Sequence, residues 1–348
     1  VECEDGLSRV CDKASKAENL RAALHTLFEG ADTDDHLEMH ARTAMARAFV
    51  RATPLPKQVR ASLAEGYAQL CSEYGPSVDV AVRSSATKED SAEASFAGQY
   101  ESFLNVSGID DVVEAWHGCA ASAFTERAVG YQLSKGMDPL EGAVAVVVMK
   151  MVRSDIATSR VMFTKDPDSG NQNVVYVSSA YGLGELEVQG SVSPDAFLVW
   201  KDGLAPGKAA IVHRVLGAKD RQMVYSIQGG TATESVDVEA SRRRQWSLTR
   251  EEVLQLGRMA VMIEEHYGRP LDIEWAKDGY TGDLYIVQAR PETIYANKKA
   301  ELFKLYKLKE KGTVLTKGSG LGNKITKGYA RILNSPDEAN LLQEGEVL

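Results

Sequence analysis

The sequence predicts an α+β protein, a helical N-terminal part leading into a larger mixed body, and three observations lead there. Apolar residues recur at helical spacing over 17–74, again over 111–133 and again over 250–267. Between these blocks the period falls towards two, as in "VDVAVRSSA", "GQYESFLNV" and "GAVAVVVMKMV". Turn chemistry separates the short runs, most plainly at Asp166-Pro167-Asp168-Ser169-Gly170 and in "DGYTGD".

Taken in order, Leu20, Leu24, Leu27 and Phe28 lie at helical spacing. "PKQVRASLAEGYAQL" restarts a helix on a proline, with Pro54 and Pro56 breaking the run before it. From Val78 two strands are expected around a polar loop. The next segment, "DVVEAWHGCAASAFTERAVGYQL", reads as one helix with Val113, Trp116, Ala120, Phe124, Ala128 and Tyr131 on the face towards that sheet. "GAVAVVVMKMV", "SRVMFTKDPDSG" and "NVVYVSSAYGLGE" are β-rich. Thr249 and Glu252 have capping-box spacing at the head of the helix over 250–267, and Gly268-Arg269-Pro270 stops it. "LDIEWAK" and "LYIVQAR" then form a hairpin, followed by a lysine-rich and glycine-rich linker and a short new β-unit, "YARIL".

Bulk properties restrict the function. A chain of 348 residues, 44% hydrophobic and 26% charged, has room for about two domains. No apolar run reaches about 18 residues, so no membrane span is expected. "VECEDGLSRVCDK" has neither a basic start nor an apolar core, so a cytoplasmic setting is expected. Cys3, Cys11, Cys71 and Cys119 lack CxxC spacing and the histidines form no HExxH motif, which reads as reduced thiols and no zinc. A net charge of −9 disfavours nucleic acid as a partner, yet leaves room for a nucleotide held by a few local cations.

Two constellations carry chemistry. Along the hairpin, Asp272 and Glu274 share one strand face, and Gln288 and Arg290 share a face of the partner. A turn centred near Tyr280 would set Asp272 opposite Gln288 and Glu274 opposite Ile286, with the polar groups on one side. Carboxylate, amide oxygen and guanidinium together suit a magnesium-bound polyphosphate: Glu274 and Gln288 as hard oxygen ligands, Arg290 as a forked phosphate donor. An amphipathic hairpin with a solvated polar face reads the same way. Upstream, Arg83 at a strand end, followed by Ser84, Ser85 and Thr87, would cradle a phosphate, or would form a loop whose hydroxyls satisfy their own backbone. Gly182, Gly184 and Glu185 in "SAYGLGE" offer close backbone approach and a further acid. "GSGLGNKIT" has Asn323 where a phosphate-binding loop wants glycine and reads as linker; Arg242-Arg243-Arg244 reads as a solvated loop, and His117 as packing or surface.

In this order, "VAVRSSATKEDSAEASFAGQYESFLNV", "MKMVRSDIATSRVMFTKDPDSG", "SSAYGLGELEVQGSVSPDAFLVWK", "HYGRPLDIEWAKDGYTGDLYIVQARPET" and "GYARILNSPDEANLLQEGEVL" resemble the phosphoenolpyruvate synthase family, the pyruvate, water dikinases among the PEP-utilising enzymes. The resemblance runs from Val78 to Leu348. It implies an ATP-grasp nucleotide-binding region, a swivelling phosphohistidine domain and a distant barrel for pyruvate. The reaction it implies turns ATP, pyruvate and water into AMP, phosphoenolpyruvate and phosphate by way of an enzyme histidine. Carried over, Arg83 and Arg290 become phosphate-binding and catalytic arginines, Ser84 lies beside the nucleotide, Glu274 and Gln288 hold Mg2+, and Glu185 is a further acid of the pocket.

The division implied is a helical part over 1–76, the nucleotide-binding region over 77–296, a linker over 297–327 and the start of the phosphohistidine domain over 328–348. The family's "GGK" loop is expected ahead of Val78 and its histidine beyond "EGEVL", so the chain reads as incomplete at both ends, with oligomer contacts in parts beyond it. Arg160 stands where the family has glycine, and Met149 where it has glutamine near the adenine. A rifampicin-type phosphotransferase, which interposes a drug-binding domain, and a non-catalytic remnant of the family are the rival readings.

Overall fold

The computed structural model describes residues 10–292 except 11, 34, 87–89, 92–93, 96–99, 135, 142–143, 185–191, 206 and 227–232, and beyond them 313, 327–333, 342–343 and 345–347. The expected linker, except for 313 and 327, and the calls on Thr87 and Glu185 therefore lie outside the described residues. After helical residues at 12–15, three longer helices follow among the described residues, each started by local chemistry. Helix α1 (Leu20–Phe28) is capped by Asn19, whose side-chain oxygen accepts from the Ala22 N–H at 3.0 Å. Asp35 does the same for α2 (His36–Ala52), and α3 (Lys57–Tyr74) follows Pro56.

Strand β1 (Val80–Ala86) leads through a two-rung ladder, β2 (Asp90–Ser91) with β3 (Ala94–Ser95), to β4 (Ser102–Val106). Two helices come next, α4 (Ile109–Ser122) and α5 (Glu126–Ser134), where the sequence predicts one. The break has a local cause: the Thr125 hydroxyl accepts from the Ala128 N–H at 3.2 Å and caps a new helix. Strand β5 (Val144–Lys150) completes an antiparallel three-stranded sheet in the order β4-β1-β5.

The face of α4 that meets this sheet also differs from expectation. Val112, Ala115 and Cys119 pack on Val80, Val82 and Val106. Gly118 lets the helix ride directly over Phe103, since a Cβ there would lie 2.3 Å from the ring. Phe124 and Ala120 instead join the core of the helices, where Leu24, Leu27, Phe28, Met39 and Val50 gather around Ala121 and Val129. His117 is buried against Trp116, as packing rather than catalysis would have it.

The second body is a six-stranded antiparallel sheet. Its members are β6 (Thr158–Phe163), β7 (Val174–Tyr181), β8 (Asp195–Trp200), β9 (Ile211–Val215) and the strands β12 (Leu271–Lys277) and β13 (Leu284–Pro291) of a later hairpin, in the order β13-β12-β6-β7-β8-β9. A separate ribbon of β10 (Arg221–Tyr225) and β11 (Thr233–Asp237) intervenes in sequence. Helix α6 (Arg250–Tyr267) starts on the expected capping box and closes at Gly268. Its Val253, Leu256 and Ala260 seal one face of the sheet against Val175, Val177, Phe197, Val199, Ile273 and Trp275.

At the far end of this body Asp195 and Lys219 form an ion pair with no exposure at 2.5 Å. Asp195 also accepts from Gly217 N–H and from both the N–H and the hydroxyl of Ser247, so the buried charge is fully paired. Arg242 and Arg243 correct the expectation of a solvated loop. They lie on a helical turn, Ala240–Arg243, with one guanidinium 4.2 Å from the Tyr181 ring centre and the other donating to Val238 O. The "YARIL" segment contributes β14 (Tyr329–Ala330), paired in parallel with β15 (Glu346–Val347). Among the described residues no helix is long and apolar enough to cross a membrane.

Candidate functional site

The two sheets meet around a cavity of about 680 Å3, within the size range of small-molecule sites. One end is apolar: Ala81 and Leu104 from the smaller sheet, Met149 and Met151 from the exit of β5, and Leu183. Leu183 reaches it because the chain turns sharply at Gly182. There φ is +85°, a Cβ would lie 2.4 Å from Met223 O, and the following N–H donates to that oxygen at 2.9 Å. Gly184 follows at the cavity wall; Glu185 lies outside the described residues.

The other end is polar and is built mainly by the hairpin. As expected, Leu271, Ile273 and Trp275 face the core while Asp272 and Glu274 face the cavity. The register differs from expectation. The turn spans Gly279 to Gly282, closed by Asp278 N–H on Asp283 O, and β13 carries one extra residue, Val287. The bulge sets Asp272 opposite Arg290 and Glu274 opposite Gln288, while Trp275 opposes Ile286. Shifting two residues keeps the face, so the four polar groups still converge.

Arg83 arrives from the other sheet. It lies within β1, opposite Ser102 and Val147, rather than at a strand end, because β1 continues its pairing with β5 as far as Ala86. Its Nη2 donates to Glu274 Oε2 at 2.7 Å and to Gln288 Oε1 at 3.0 Å. Arg290 is held likewise, with Nε and Nη2 donating to Asp272 Oδ2 at 2.9 and 2.8 Å. Burial raises the Asp272 carboxyl above its ordinary range against the pull of Arg290, and its Oδ1 is buried without a partner. Ser84 lines the cavity, but its hydroxyl donates to Glu101 O at 3.3 Å, so it presents only acceptor lone pairs and the strand backbone. Ser85 is exposed.

Residues beyond the sequence-based set also line this end. Lys150, at the end of β5, lies 3.5 Å from Asp278 and 5.9 Å from the Tyr285 ring centre; its only signal in the sequence was a lysine ending an apolar strand. Arg160 and Met149 both reach the wall, Arg160 being buried. The donor set suits a hard divalent cation. Glu274 and Gln288 bring a carboxylate and an amide oxygen within reach of one nitrogen of Arg83, and hence of one point. Among the described residues no group of three His, Cys, Asp or Glu side chains is placed to hold a metal ion, so such an ion would draw its other ligands from water and ligand oxygens.

A cleft with paired guanidinium and carboxylate groups at one end and an apolar slot at the other is the form of a nucleotide-binding domain. Residues 7–310 match the family described as pyruvate phosphate dikinase, AMP/ATP-binding domain, and the chain belongs to that family. It is 44% identical over 340 residues to phosphoenolpyruvate synthase of Synechocystis sp., covering 94% of this chain and 42% of that protein. Phosphoenolpyruvate synthase of Escherichia coli K12 is 42% identical over 327 residues, covering 93% and 41%. A probable phosphoenolpyruvate synthase of Pyrococcus abyssi is 36% identical over 327 residues, covering 92% and 39%. The chain thus spans about two-fifths of the length of these relatives.

Proposed function

We propose that this chain is the ATP-grasp-type, ATP-binding part of a phosphoenolpyruvate synthase. In this reading it passes a phosphoryl group from ATP to an enzyme histidine, on the way to making phosphoenolpyruvate, AMP and phosphate from ATP, pyruvate and water. The observation that carries the reading is the meeting of Arg83 with Glu274 and Gln288 across the two sheets, beside Arg290 and at one end of a cavity whose other end is apolar. The relatives support it, and the interposed drug-binding domain of a rifampicin-type enzyme has no support in them.

The apolar slot at Met149, Met151 and Leu183 suits the base, which leaves the phosphates towards Arg83 and Arg290. Both arginines offer a planar fork that matches phosphate oxygens and draws charge off the bond to be broken. Glu274 and Gln288 would hold Mg2+, which neutralises phosphate charge when bound. The partition at 76, 296 and 327, a swivelling phosphohistidine domain from 328, pyruvate at a distant site, homo-oligomer contacts elsewhere and a cytoplasmic setting belong to the same reading.

Glu274→Ala tests it. The side chain is about a third exposed and paired only at the cavity wall, so its loss costs the fold about 1 kcal/mol or less. Calorimetry should find Mg2+-dependent ATP binding abolished and the melting temperature nearly unchanged. A drop of several degrees with ATP binding intact would return the hairpin to a purely structural role.

A further inference from the structure

A single nitrogen, Arg83 Nη2, sits between Glu274 Oε2 and Gln288 Oε1 at 2.7 and 3.0 Å. These are the two oxygens that the proposed function gives to the metal, and the inference rests on that reading. We infer that Arg83 occupies the cation seat until a nucleotide arrives, so that the divalent ion and the triphosphate bind together and free metal alone is kept out.

The argument is one of space and charge. A divalent ion of magnesium's size needs its oxygens at about 2.0–2.1 Å, drawn towards one point. The guanidinium nitrogen already stands there, and its hydrogens are aimed at the lone pairs the ion would use. Charge adds to this. Arg83 and Glu274 neutralise each other, and an ion entering with Arg83 in place would set a double positive charge against a third. Screening is incomplete, since the two side chains are 22% and 30% exposed.

A triphosphate changes the balance, because its oxygens give the guanidinium a better fork than one carboxylate oxygen and one amide. Arg83 can then turn to the phosphates and release both oxygens without leaving a charge unpaired. The partial exposure that allows a ligand to reach the pair also gives Arg83 room to turn. Arg290 follows the same pattern, held by Asp272 on the neighbouring strand β12, so each phosphate-facing arginine has a stand-in anion within the protein. The pair also spans the two sheets, with Arg83 Nη1 reaching Val287 O at 3.5 Å, so exchanging partners couples cation binding to how the sheets are tied. By linkage, the factor by which nucleotide raises metal affinity equals the factor by which metal raises nucleotide affinity.

Mn2+ binding, followed by electron paramagnetic resonance on the full chain, tests this in the parent, Arg83→Met, Arg83→Gln and Glu274→Gln, with far-UV circular dichroism and melting curves to establish folding. In the parent, Mn2+ should bind at least tenfold more tightly with a non-hydrolysable ATP analogue than without. In both Arg83 variants, nucleotide-free Mn2+ affinity should rise tenfold or more, and Glu274→Gln should abolish Mn2+ binding. Loss of binding in Glu274→Gln with nucleotide-free affinity unchanged in folded Arg83 variants overturns the guard role and leaves the metal site standing. Mn2+ affinity indifferent to Glu274→Gln in every condition overturns the metal site and the guard role with it. Two Arg83 variants keep the test decisive if either fails to fold.

Discussion

Cys119 shows how far one residue's surroundings dictate its chemistry. Its thiol is fully buried between α4 and β1, with Sγ donating to Val82 O at 3.4 Å, and burial, reinforced by Glu101, pushes its pKa up to about 12. The thiolate is the reactive form, so Cys119 should resist iodoacetamide in the native protein while the half-buried Cys71 is modified. Mass spectrometry of the alkylated chain checks this, and equal labelling of both would show that α4 does not seal the sheet. At this scale much of the site was legible, because Arg83, Glu274, Gln288 and Arg290 are residue types that phosphate and hard cations demand, at positions where strand alternation fixes the face. Ser84 was legible in position only. Nothing local in "VRSSA" tells that its hydroxyl turns to Glu101 O, a partner just ahead of β4.

Elements were read well where their ends carry chemistry and poorly where a contact between elements decides. The helix over 250–267 came with its own cap and stop, and the structure keeps both. The helix over 111–133 did not, and a single threonine hydroxyl splits it. The hairpin register shifted by one residue at the turn and by one more at the bulge, neither of which "LYIVQAR" announces. The strands over 211–237 went unread because their side chains are mostly half-buried or exposed, so no sustained apolar alternation marks them.

The hairpin's own anchor is testable. Burial opposes ionisation of Asp278, yet N–H donors from Tyr280, Thr281 and Arg153, with Lys150 nearby, hold its carboxyl below the ordinary range. A carboxyl lowered in the native state lends stability at pH values above its unfolded pKa of about 4, and that stability is lost as pH falls through the native value. Asp278→Asn should therefore cost about 1 kcal/mol at neutral pH, as loss of a capping carboxylate does. In urea titrations the gap from the parent should close below about pH 4; a gap that stays constant with pH would mean that the charge contributes nothing.

At the scale of the whole molecule the sequence was least informative, because the site exists only where two sheets meet. Arg83 and Glu274 stand 191 residues apart along the chain, and no local pattern says that a strand of one sheet will address a hairpin of the other. The family resemblance implied only that both serve one nucleotide; in the structure each body closes its own core, and the polar end of the cleft lies at their junction.

The central claim, that this junction binds the triphosphate of ATP through Arg83, is tested most directly by calorimetric titration of ATP and adenosine into the parent, Arg83→Lys and Arg83→Ala. Charge-assisted hydrogen bonds contribute roughly 1.5–3 kcal/mol each, and lysine keeps the charge but not the fork. ATP affinity should therefore fall about tenfold or more in both variants, with Arg83→Lys closer to Arg83→Ala than to the parent, while adenosine binds all three alike. ATP affinity unchanged by both substitutions in a parent that binds ATP would contradict the account and leave Arg83 as a bridge between the sheets and nothing more.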